Sequence, residues 1–452
     1  MTETFVIIGG DAAGMSAASK ARRENPDLDI VVFEKGEWVS YGACGLPYYV
    51  KGDIDELDDL VSVTPEEFRT ERNIDLRTNH EVTAIDPGAK SVTVEGPDGP
   101  FEQPYDTLLI ATGARAIVPP LDGTDLDGVY TLDSLPAGKA IRDAIEEPAG
   151  QTPERVAIVG GGYIGIEMAE AFRERDLEVH LFEMLPHVLD PFGEMVAESV
   201  EEELRRQDVE LHLETAVDGF EGENQVRAVR TDEDEIPVDV VVVGVGVTAN
   251  SAIAEAAGIE IGNTGAIATD EYGLTNVEDV YAAGDCAEMT HVVTGKPDHV
   301  PLALTANRAG RAVGQTVTGT PTEVGAIAGT AVVKAFDLEA ARTGVIDLPT
   351  AVGAGFDPVS ATITSSSRAG YYPGGSPLQV NLVADRKNGV LLGASMVGEE
   401  GVAKRIDTIA TALHAGMTVS DVEYLDLAYA PPFGPTWDPV LTAAKVLGGK
   451  LS

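Results

Sequence analysis

Two glycine-rich loops and one cysteine are the parts of this sequence whose residue types and spacing suit chemistry. The loops read GGDAAG at 9–14 and GGGYIG at 160–165, and each follows an apolar run. Glycines in such a loop allow a tight bend and let backbone N–H groups approach a pyrophosphate at a helix N-terminus. Between the loops Cys44 stands in YGACGLP, and a cysteine thiolate is a nucleophile. The pattern indicates nucleotide binding combined with thiol chemistry.

Each loop is followed by a carboxylate where a dinucleotide site needs one. The first copy predicts a strand at Phe5–Ile8, a helix to Glu24 and a second strand that ends at Glu34. The second copy predicts a strand at Val156–Val159, and its acid is Glu183. An acid about 20 positions past the last glycine accepts the ribose 2′-hydroxyl. The loop positions predicted to bind nucleotide are Gly9, Gly10, Ala13, Gly14, Gly160, Gly162 and Gly165. The alternative is a pair of purely structural glycine turns.

Two details of the loops bear on ligand choice. Glu183 would repel a 2′-phosphate, and the following Met-Leu-Pro offers no arginine, so NADH is favoured and NADPH stays possible. In the first loop Asp11 replaces the middle glycine. A carboxylate beside a pyrophosphate is unfavourable, so we expect this side chain to point away.

The amino-acid composition limits the partners and the cellular location that this chain can have. The 452 residues include 31 Lys and Arg against 75 Asp and Glu, a net charge of −44, which predicts a salt-requiring protein of a halophile. This charge argues against nucleic acid or an anionic membrane as partner. We find no secretory signal and no apolar run of about 18 residues, so the expected location is the cytoplasm. With only Cys44 and Cys286 a disulfide scaffold is excluded, and we predict no metal site.

Two further motifs give the chain a family resemblance. YDTLLIATG at 105–113 and TNVEDVYAAGD at 275–285, with the two loops, resemble the FAD-dependent disulfide reductases over almost the whole length. The resemblance implies an α/β fold with a Rossmann-like FAD domain (1–116 and 248–324), a Rossmann-like NAD(P)H domain (117–247) and a C-terminal α+β dimerisation domain (325–452). FAD contacts are implied for Glu34, Lys35, Thr112, Gly113, Gly284 and Asp285. Tyr163 would cover the nicotinamide face of the flavin with Glu167 nearby, unless both are ordinary helix residues.

The cysteine pattern selects a branch of that family. SYGACGLPYY at 40–49 holds one cysteine, which resembles the branch of coenzyme A disulfide reductases, NADH oxidases, NADH peroxidases and sulfur reductases. Oxidases and peroxidases of this branch carry a histidine where this chain has Ala12. The missing histidine disfavours an oxidase or peroxidase. The single-cysteine resemblance implies that Cys44 is the redox-active thiol, with an inert core cysteine as the alternative. Cys286 is expected to be buried.

The C-terminal region resembles coenzyme A disulfide reductases most closely. Its motifs are YYPG at 371–374, EGVAKRID at 400–407 and AYAPPF at 428–433. The resemblance implies a homodimer in which Tyr371 and Tyr429 reach the partner's cysteine, with Tyr372 not excluded. Coenzyme A is polyanionic, and Lys20, Arg22 and Arg23 cluster on the first helix as candidate ligands, unless they form an ordinary solvated face. Ser40 is a candidate for the pantetheine arm.

The resulting prediction is an enzyme that reduces coenzyme A disulfide with NADH through FAD and a Cys44–coenzyme A mixed disulfide. The reaction needs the thiolate, so we expect a lowered Cys44 pKa, with flavin and tyrosine hydroxyls as stabilisers. The alternatives are an NADH oxidase or sulfur/persulfide reductase of the same branch, and an electron carrier or redox sensor with a structural Cys44.

Overall fold

The first part of the chain begins with a strand–helix–strand unit and continues into short helices and a meander. The computed structural model describes residues 3–146 and 152–451. The elements of the first part are β1 (Thr4–Ile8), α1 (Ala12–Glu24), β2 (Asp29–Glu34), α2 (Leu46–Lys51), α3 (Pro65–Thr70), β3 (Asp75–Thr78), β4 (Glu81–Asp86), β5 (Ser91–Gly96), β6 (Gly99–Pro104), β7 (Thr107–Ile110), β8 (Ala114–Ala116), β9 (Val129–Tyr130) and α4 (Leu135–Glu146).

The middle of the chain repeats the strand–helix–strand unit and then returns to the first part. Its elements are β10 (Arg155–Val159), α5 (Tyr163–Arg173), β11 (Glu178–Phe182), α6 (Glu194–Arg206), β12 (Val209–His212), β13 (Val217–Gly222), β14 (Val226–Thr231), β15 (Glu235–Pro237), β16 (Val240–Val243), β17 (Val247–Ala249), α7 (Ala252–Ala256), β18 (Val280–Ala282), β19 (Met289–Thr290), β20 (Pro297–Asp298) and α8 (Ala303–Thr316).

The last part is an antiparallel sheet with helices packed on it. Its elements are β21 (Ala331–Ala335), β22 (Leu338–Gly344), α9 (Leu348–Gly353), β23 (Pro358–Ser366), β24 (Pro377–Asp385), β25 (Leu391–Gly398), α10 (Val402–His414), α11 (Val419–Glu423) and α12 (Pro439–Leu451). The strand order is β21-β22-β25-β24-β23, and α10 and α12 share a hydrophobic core with this sheet.

Two parallel five-stranded sheets form the two units in which nucleotide binding is predicted. Their orders are β18-β7-β1-β2-β3 and β12-β11-β10-β16-β9. The central strands are buried on both faces, which explains why β1 and β10 read as unbroken apolar runs. Antiparallel β8 and β17 form the ribbon at which the chain crosses between the units, beside the boundaries predicted near 116 and 247. The α/β fold class with an α+β C-terminal region agrees with the prediction. No helix in the described ranges is long and apolar enough to cross a membrane.

Helix α2, which follows Cys44, packs into the core of the second unit. Leu46, Tyr49 and Val50 share one hydrophobic cluster with Ile166 and Phe172 of α5. Arg142 of α4 adds hydrogen bonds to three backbone carbonyls at the end of α2 and just beyond it. The segment around Cys44 is therefore part of the first unit in sequence, but the helix that follows it packs against the second unit.

A buried carboxylate joins all three parts of the chain. Glu170 of α5 accepts hydrogen bonds from the Lys51 Nζ atom of α2 at 3.0 Å and the Lys334 Nζ atom of β21 at 2.5 Å. Its second oxygen accepts the Phe336 backbone N–H at 2.8 Å. A buried carboxylate is tolerated when it is paired in this way, and removing it leaves its partners unsatisfied.

We predict that Glu170→Gln lowers the stability of the protein by about 2–3 kcal/mol, because an amide cannot serve two lysines and a backbone N–H as a carboxylate does. The thermal unfolding midpoint measured in concentrated KCl should fall. Glu174→Gln, an exposed glutamate at the end of the same helix, is the control and should unfold as the parent does. Equal midpoints for the two variants would contradict the importance of this junction.

Candidate functional site

The two glycine loops have the same backbone geometry. Gly9 and Gly160 have φ values of 108° and 109°, which side-chain-bearing residues rarely adopt. A Cβ on Gly14 or on Gly165 would lie 2.0 Å from the carbonyl oxygen of the first glycine of its own loop. Only glycine fits these positions, and each loop leads directly into a helix N-terminus, α1 or α5.

The acid that follows each loop is held by the loop itself. The Gly10 N–H donates to Glu34 Oε2 at 2.8 Å, and the Gly161 N–H donates to Glu183 Oε2 at 2.8 Å. In both cases the second oxygen accepts a backbone N–H two residues further on. The carboxylates are therefore fixed at the ends of β2 and β11, where a ribose hydroxyl can donate to them. This duplicated arrangement fits two dinucleotides.

The remaining residues predicted to contact FAD lie around the first loop. The Thr112 hydroxyl donates to the Asn250 carbonyl at 2.7 Å, and Gly113 and Gly284 have positive φ. Burial raises the pKa of Asp285, whose carboxylate has no hydrogen-bond partner among the described residues. Ala13 is buried and Lys35 is exposed. An unpartnered, half-buried acid of this kind is suited to a ligand hydroxyl.

Cys44 lies in a 3-10 turn, Ala43–Gly45, that leads directly into α2. Its side chain is exposed, whereas Cys286 is fully buried with its Sγ atom 3.4 Å from the Ile110 carbonyl oxygen. Cys44 is thus the one thiol of the chain that a substrate can reach.

The protein raises the pKa of Cys44 rather than lowering it. The largest cause is partial burial, and the carboxylates of Glu167, Asp285 and Asp11 add to it. The side chains of this subunit therefore do not supply the expected lowering of the pKa, which stays a prediction that depends on the flavin and on the tyrosine hydroxyls. The surrounding negative charge was not visible in the sequence because these acids are distant along the chain.

Glu167 lies close to the cysteine helix. The Tyr48 hydroxyl donates to Glu167 Oε1 at 3.3 Å. Burial raises the pKa of Glu167 to about 7, and burial with the neighbouring carboxylate raises that of Tyr48 to about 12. Tyr163, at the start of the same helix, packs edge-on against Phe192 with ring centroids 5.3 Å apart. Tyr48 was missed from the sequence, although its position one helical turn after Cys44 is a usable signal.

The Asp11 carboxylate contacts the cysteine segment, and its expected orientation away from a pyrophosphate stays a prediction. Its Oδ1 accepts the Tyr41 N–H at 3.1 Å, and burial with Glu34 and Asp285 nearby raises its pKa to about 6. The neighbouring Ser40 has a φ of 49°, and its N–H donates to the Gly10 carbonyl at 3.1 Å. These contacts fasten the cysteine segment to the first nucleotide loop.

The three basic residues of α1 do not form one cation cluster. The Arg22 guanidinium donates to the backbone carbonyls of Pro26, Leu28 and Asn73, so its role is in folding and its prediction as a substrate ligand is wrong. Lys20 is buried and forms an ion pair with Glu24. Arg23 is exposed.

The C-terminal tyrosines form an exposed pair. The hydroxyls of Tyr371 and Tyr429 are 2.9 Å apart, and the side chains are 75% and 47% exposed, so each is open to a second molecule. Their shared hydrogen bond raises the pKa of Tyr371 and lowers that of Tyr429. Tyr372 is 38% exposed and lies outside this bond. Within the described chain neither tyrosine hydrogen-bonds to the cysteine segment.

Two charged anchors hold the loops that carry these tyrosines. Arg368 forms a two-pronged bond to Glu400, with both N···O distances at 2.7 Å. Arg405 pairs with Asp438 at 2.9 Å and donates to the Phe433 carbonyl at 3.0 Å. The motif residues at 400–407 thus position the pair.

Comparison with known proteins agrees with this geometry. Residues 3–309 match the family described as pyridine nucleotide-disulphide oxidoreductase, and residues 330–439 match the dimerisation domain of that family. The chain belongs to the pyridine nucleotide-disulphide oxidoreductases. The family resemblance and fold class predicted from the sequence are confirmed, and members of this family are FAD-dependent NAD(P)H oxidoreductases.

Relatives within the family cover the whole chain. It is 42% identical over 448 residues to the NAD(P)H coenzyme A polysulfide/persulfide reductase of Pyrococcus horikoshii, covering 99% of each protein. It is 32% identical over 432 residues to a coenzyme A disulfide reductase of Staphylococcus aureus, covering 95% of this chain and 96% of that one. The structure of an NAD-dependent persulfide reductase from A. fulgidus superposes with a TM-score of 0.95 at 40% identity, covering 99% of this chain and 83% of that one.

We predict that Glu167→Gln lowers the apparent pKa of Cys44. Glu167 is ionised above about pH 7, so its charge is present in the alkaline range where the thiol titrates, and removing it removes repulsion from the thiolate. The measurement is the rate of Cys44 alkylation by iodoacetamide as a function of pH. Glu174→Gln is the control on the same helix. An unchanged or raised midpoint in Glu167→Gln would show that the two groups are not coupled.

Proposed function

We propose that this enzyme uses NADH to reduce the sulfur–sulfur bond of coenzyme A disulfide, through FAD and Cys44. The observation that carries the proposal is the single exposed thiol on the helix that packs against α5, with the other cysteine buried. No second cysteine can resolve an internal disulfide, so Cys44 would react with a small-molecule sulfur or with an oxygen species, and the coenzyme A-type motifs favour the sulfur.

The reaction balances as NADH, a proton and the disulfide giving NAD⁺ and two coenzyme A thiols. FAD, when bound, carries the electron pair from the nicotinamide towards the cysteine. The Cys44 thiolate attacks one substrate sulfur, forming a mixed disulfide and breaking the substrate bond, and the departing coenzyme A thiolate takes a proton. The electron pair from NADH then breaks the mixed disulfide, and the second thiol leaves with Cys44 restored as a thiolate.

The tyrosine pair is assigned to protonating the departing thiolate in a homodimer. Tyr371 and Tyr429 are exposed, share a hydrogen bond and lie in the part of the chain that matches the family's dimerisation domain. A tyrosine hydroxyl can act as a general acid when it lies within hydrogen-bond reach of the leaving sulfur. Each active site would then combine Cys44 of one subunit with the tyrosines of the other.

The choice of NADH over NADPH and the binding of coenzyme A are inferred from charged side chains. Glu183 is held by two backbone N–H groups, which supports NADH over NADPH because a 2′-phosphate would meet a fixed carboxylate. Arg23 is the exposed cation of α1 and is assigned to the coenzyme A phosphates, with Lys20 beside it and Ser40 near the pantetheine arm. The net charge of −44 supports a salt requirement in every assay.

A second candidate substrate is coenzyme A persulfide or polysulfide. The similarity to a coenzyme A polysulfide/persulfide reductase at 42% identity and to a persulfide reductase at 40% identity favours it. That reaction consumes NADH, a proton and the persulfide and gives NAD⁺, coenzyme A thiol and hydrogen sulfide. The same attack by Cys44 on a coenzyme A sulfur would begin either reaction.

We predict NADH oxidation in molar KCl with coenzyme A disulfide as acceptor, with NADPH slower and oxygen alone slower still. Rates with coenzyme A persulfide and sulfide release are measured in parallel. Cys44→Ser should abolish turnover while retaining FAD, whereas Cys286→Ser should keep it. A higher kcat/KM for the persulfide would move the function to the second candidate. Equal rates with oxygen alone would indicate an oxidase, and unchanged activity in Cys44→Ser would indicate an electron carrier.

We predict that Tyr371→Phe and Tyr429→Phe each lower kcat about 10²-fold, the lower end of general acid contributions, and leave FAD content intact. Tyr424→Phe, another exposed tyrosine of the same region, is the control and should retain the parent rate. Steady-state kinetics with coenzyme A disulfide provide the measurement. Parent-like kcat in both variants would remove the pair from the reaction.

A further inference from the structure

Two histidines and a glutamate face one another on the edge strand β12 and its neighbour β11. β12 is the edge strand beside β11, with His180 opposite Glu210 and Phe182 opposite His212 in the register. His180 Nδ1 lies 3.2 Å from His212 Nε2 and 3.5 Å from Glu210 Oε2, and His212 Nε2 lies 3.8 Å from Glu210 Oε1. Two ring nitrogens and the two oxygens of one carboxylate are therefore gathered from two adjacent strands.

The two shorter separations are close to those of donors around one metal ion, and one ligand atom from each of the three residues lies within 4.8 Å of the others. Zinc bonds to histidine nitrogen are about 2.0–2.1 Å and to carboxylate oxygen about 2.0–2.2 Å, which places tetrahedral donors about 3.3–3.5 Å apart. A mutual hydrogen bond between the histidines would account for one of the three separations. It would leave unexplained why a carboxylate lies at similar distances from both rings.

The outer ring nitrogen of His180 has the partner that a metal-bound histidine needs. His180 Nε2 lies 3.2 Å from Glu178 Oε1, so the N–H on that nitrogen can donate to a carboxylate while Nδ1 faces the cluster. Such a carboxylate fixes the tautomer and raises ligand basicity. Phe182 stacks on the His212 ring with centroids 4.4 Å apart, which restricts its orientation.

We propose that His180, His212 and Glu210 form a binding site for a divalent transition-metal ion of the zinc class. The two imidazoles select such an ion over Mg²⁺ or Ca²⁺, which prefer oxygen ligands. His180 is buried and Glu210 is exposed, so solvent supplies the remaining coordination position. The ion would cross-link β11 and β12 next to Glu183, whose N–H donates to the His212 carbonyl at 2.9 Å.

The test is Zn²⁺ titration of the chelator-treated, FAD-loaded Cys44→Ser protein, which has no exposed thiol to compete. Molar KCl and excess Mg²⁺ prevent nonspecific binding of Zn²⁺ to the many surface carboxylates. A chromophoric chelator reports the concentration of free Zn²⁺. We expect one equivalent bound per chain. His212→Asn and the exposed Glu210→Gln should lose it, and Glu178→Gln should weaken it about 10–100-fold. Co²⁺ in the same site should give the intense visible absorption of a four-coordinate complex.

His187→Asn is the matched control, since His187 contacts Glu201 at 3.0 Å in the same unit without a second histidine. It should bind Zn²⁺ as the parent does. The proposal is overturned if the parent binds no equivalent that survives Mg²⁺. It is also overturned if His187→Asn loses the ion as His212→Asn does, or if Glu210→Gln keeps parent affinity.

Discussion

The placement of Cys44 depends on how one buried carboxylate is neutralised. Glu170 has two lysines and a backbone N–H as partners, and these come from the cysteine helix and from the first strand of the C-terminal sheet. Because an unpaired buried charge is costly, the three parts must dock together for the carboxylate to be tolerated. The apolar contacts of Leu46 and Tyr49 with the core around α5 act in the same direction. The reactive thiol is thus placed by tertiary contacts more than by its own short turn.

The negative charges around Cys44 oppose the thiol ionisation that the proposed reaction requires. Glu167, Asp285 and Asp11 surround a thiol that must ionise, and each raises its pKa. The pKa of Glu167 is about 7, so its repulsion of the thiolate grows as the pH rises through neutrality. The same rise in pH favours ionisation of the thiol, so the two effects oppose each other. These opposed effects make the thiolate population less steep in pH than that of an isolated cysteine. In the proposed homodimer, the flavin and the tyrosines of the second subunit are the groups that would favour the thiolate.

The features that could be predicted from the sequence are those that depend on residue spacing within a short segment. The glycine loops, Glu34, Glu183 and the isolation of Cys44 follow from local patterns, because a strand–turn–helix unit positions them with little help from the rest of the chain. The interaction of Tyr48 with Glu167 joins residues 119 positions apart, so no local pattern reveals it. Arg22 was wrongly grouped with Lys20 and Arg23, since side-chain direction depends on the carbonyls that the folded chain presents. The tyrosine pair was predicted through resemblance, and its mutual hydrogen bond was not.

Helix α5 begins at the second glycine loop and, one turn later, presents Glu167 to the cysteine helix. The pyrophosphate-binding end and the thiol-facing side therefore belong to a single rigid element. By thermodynamic linkage, the effects of these two sites on each other are equal. The factor by which oxidation of Cys44 changes nucleotide affinity is also the factor by which bound nucleotide changes the reduction equilibrium of Cys44. In the proposed reaction, a coupling of this kind would make the nucleotide an effector of the thiol as well as a source of electrons.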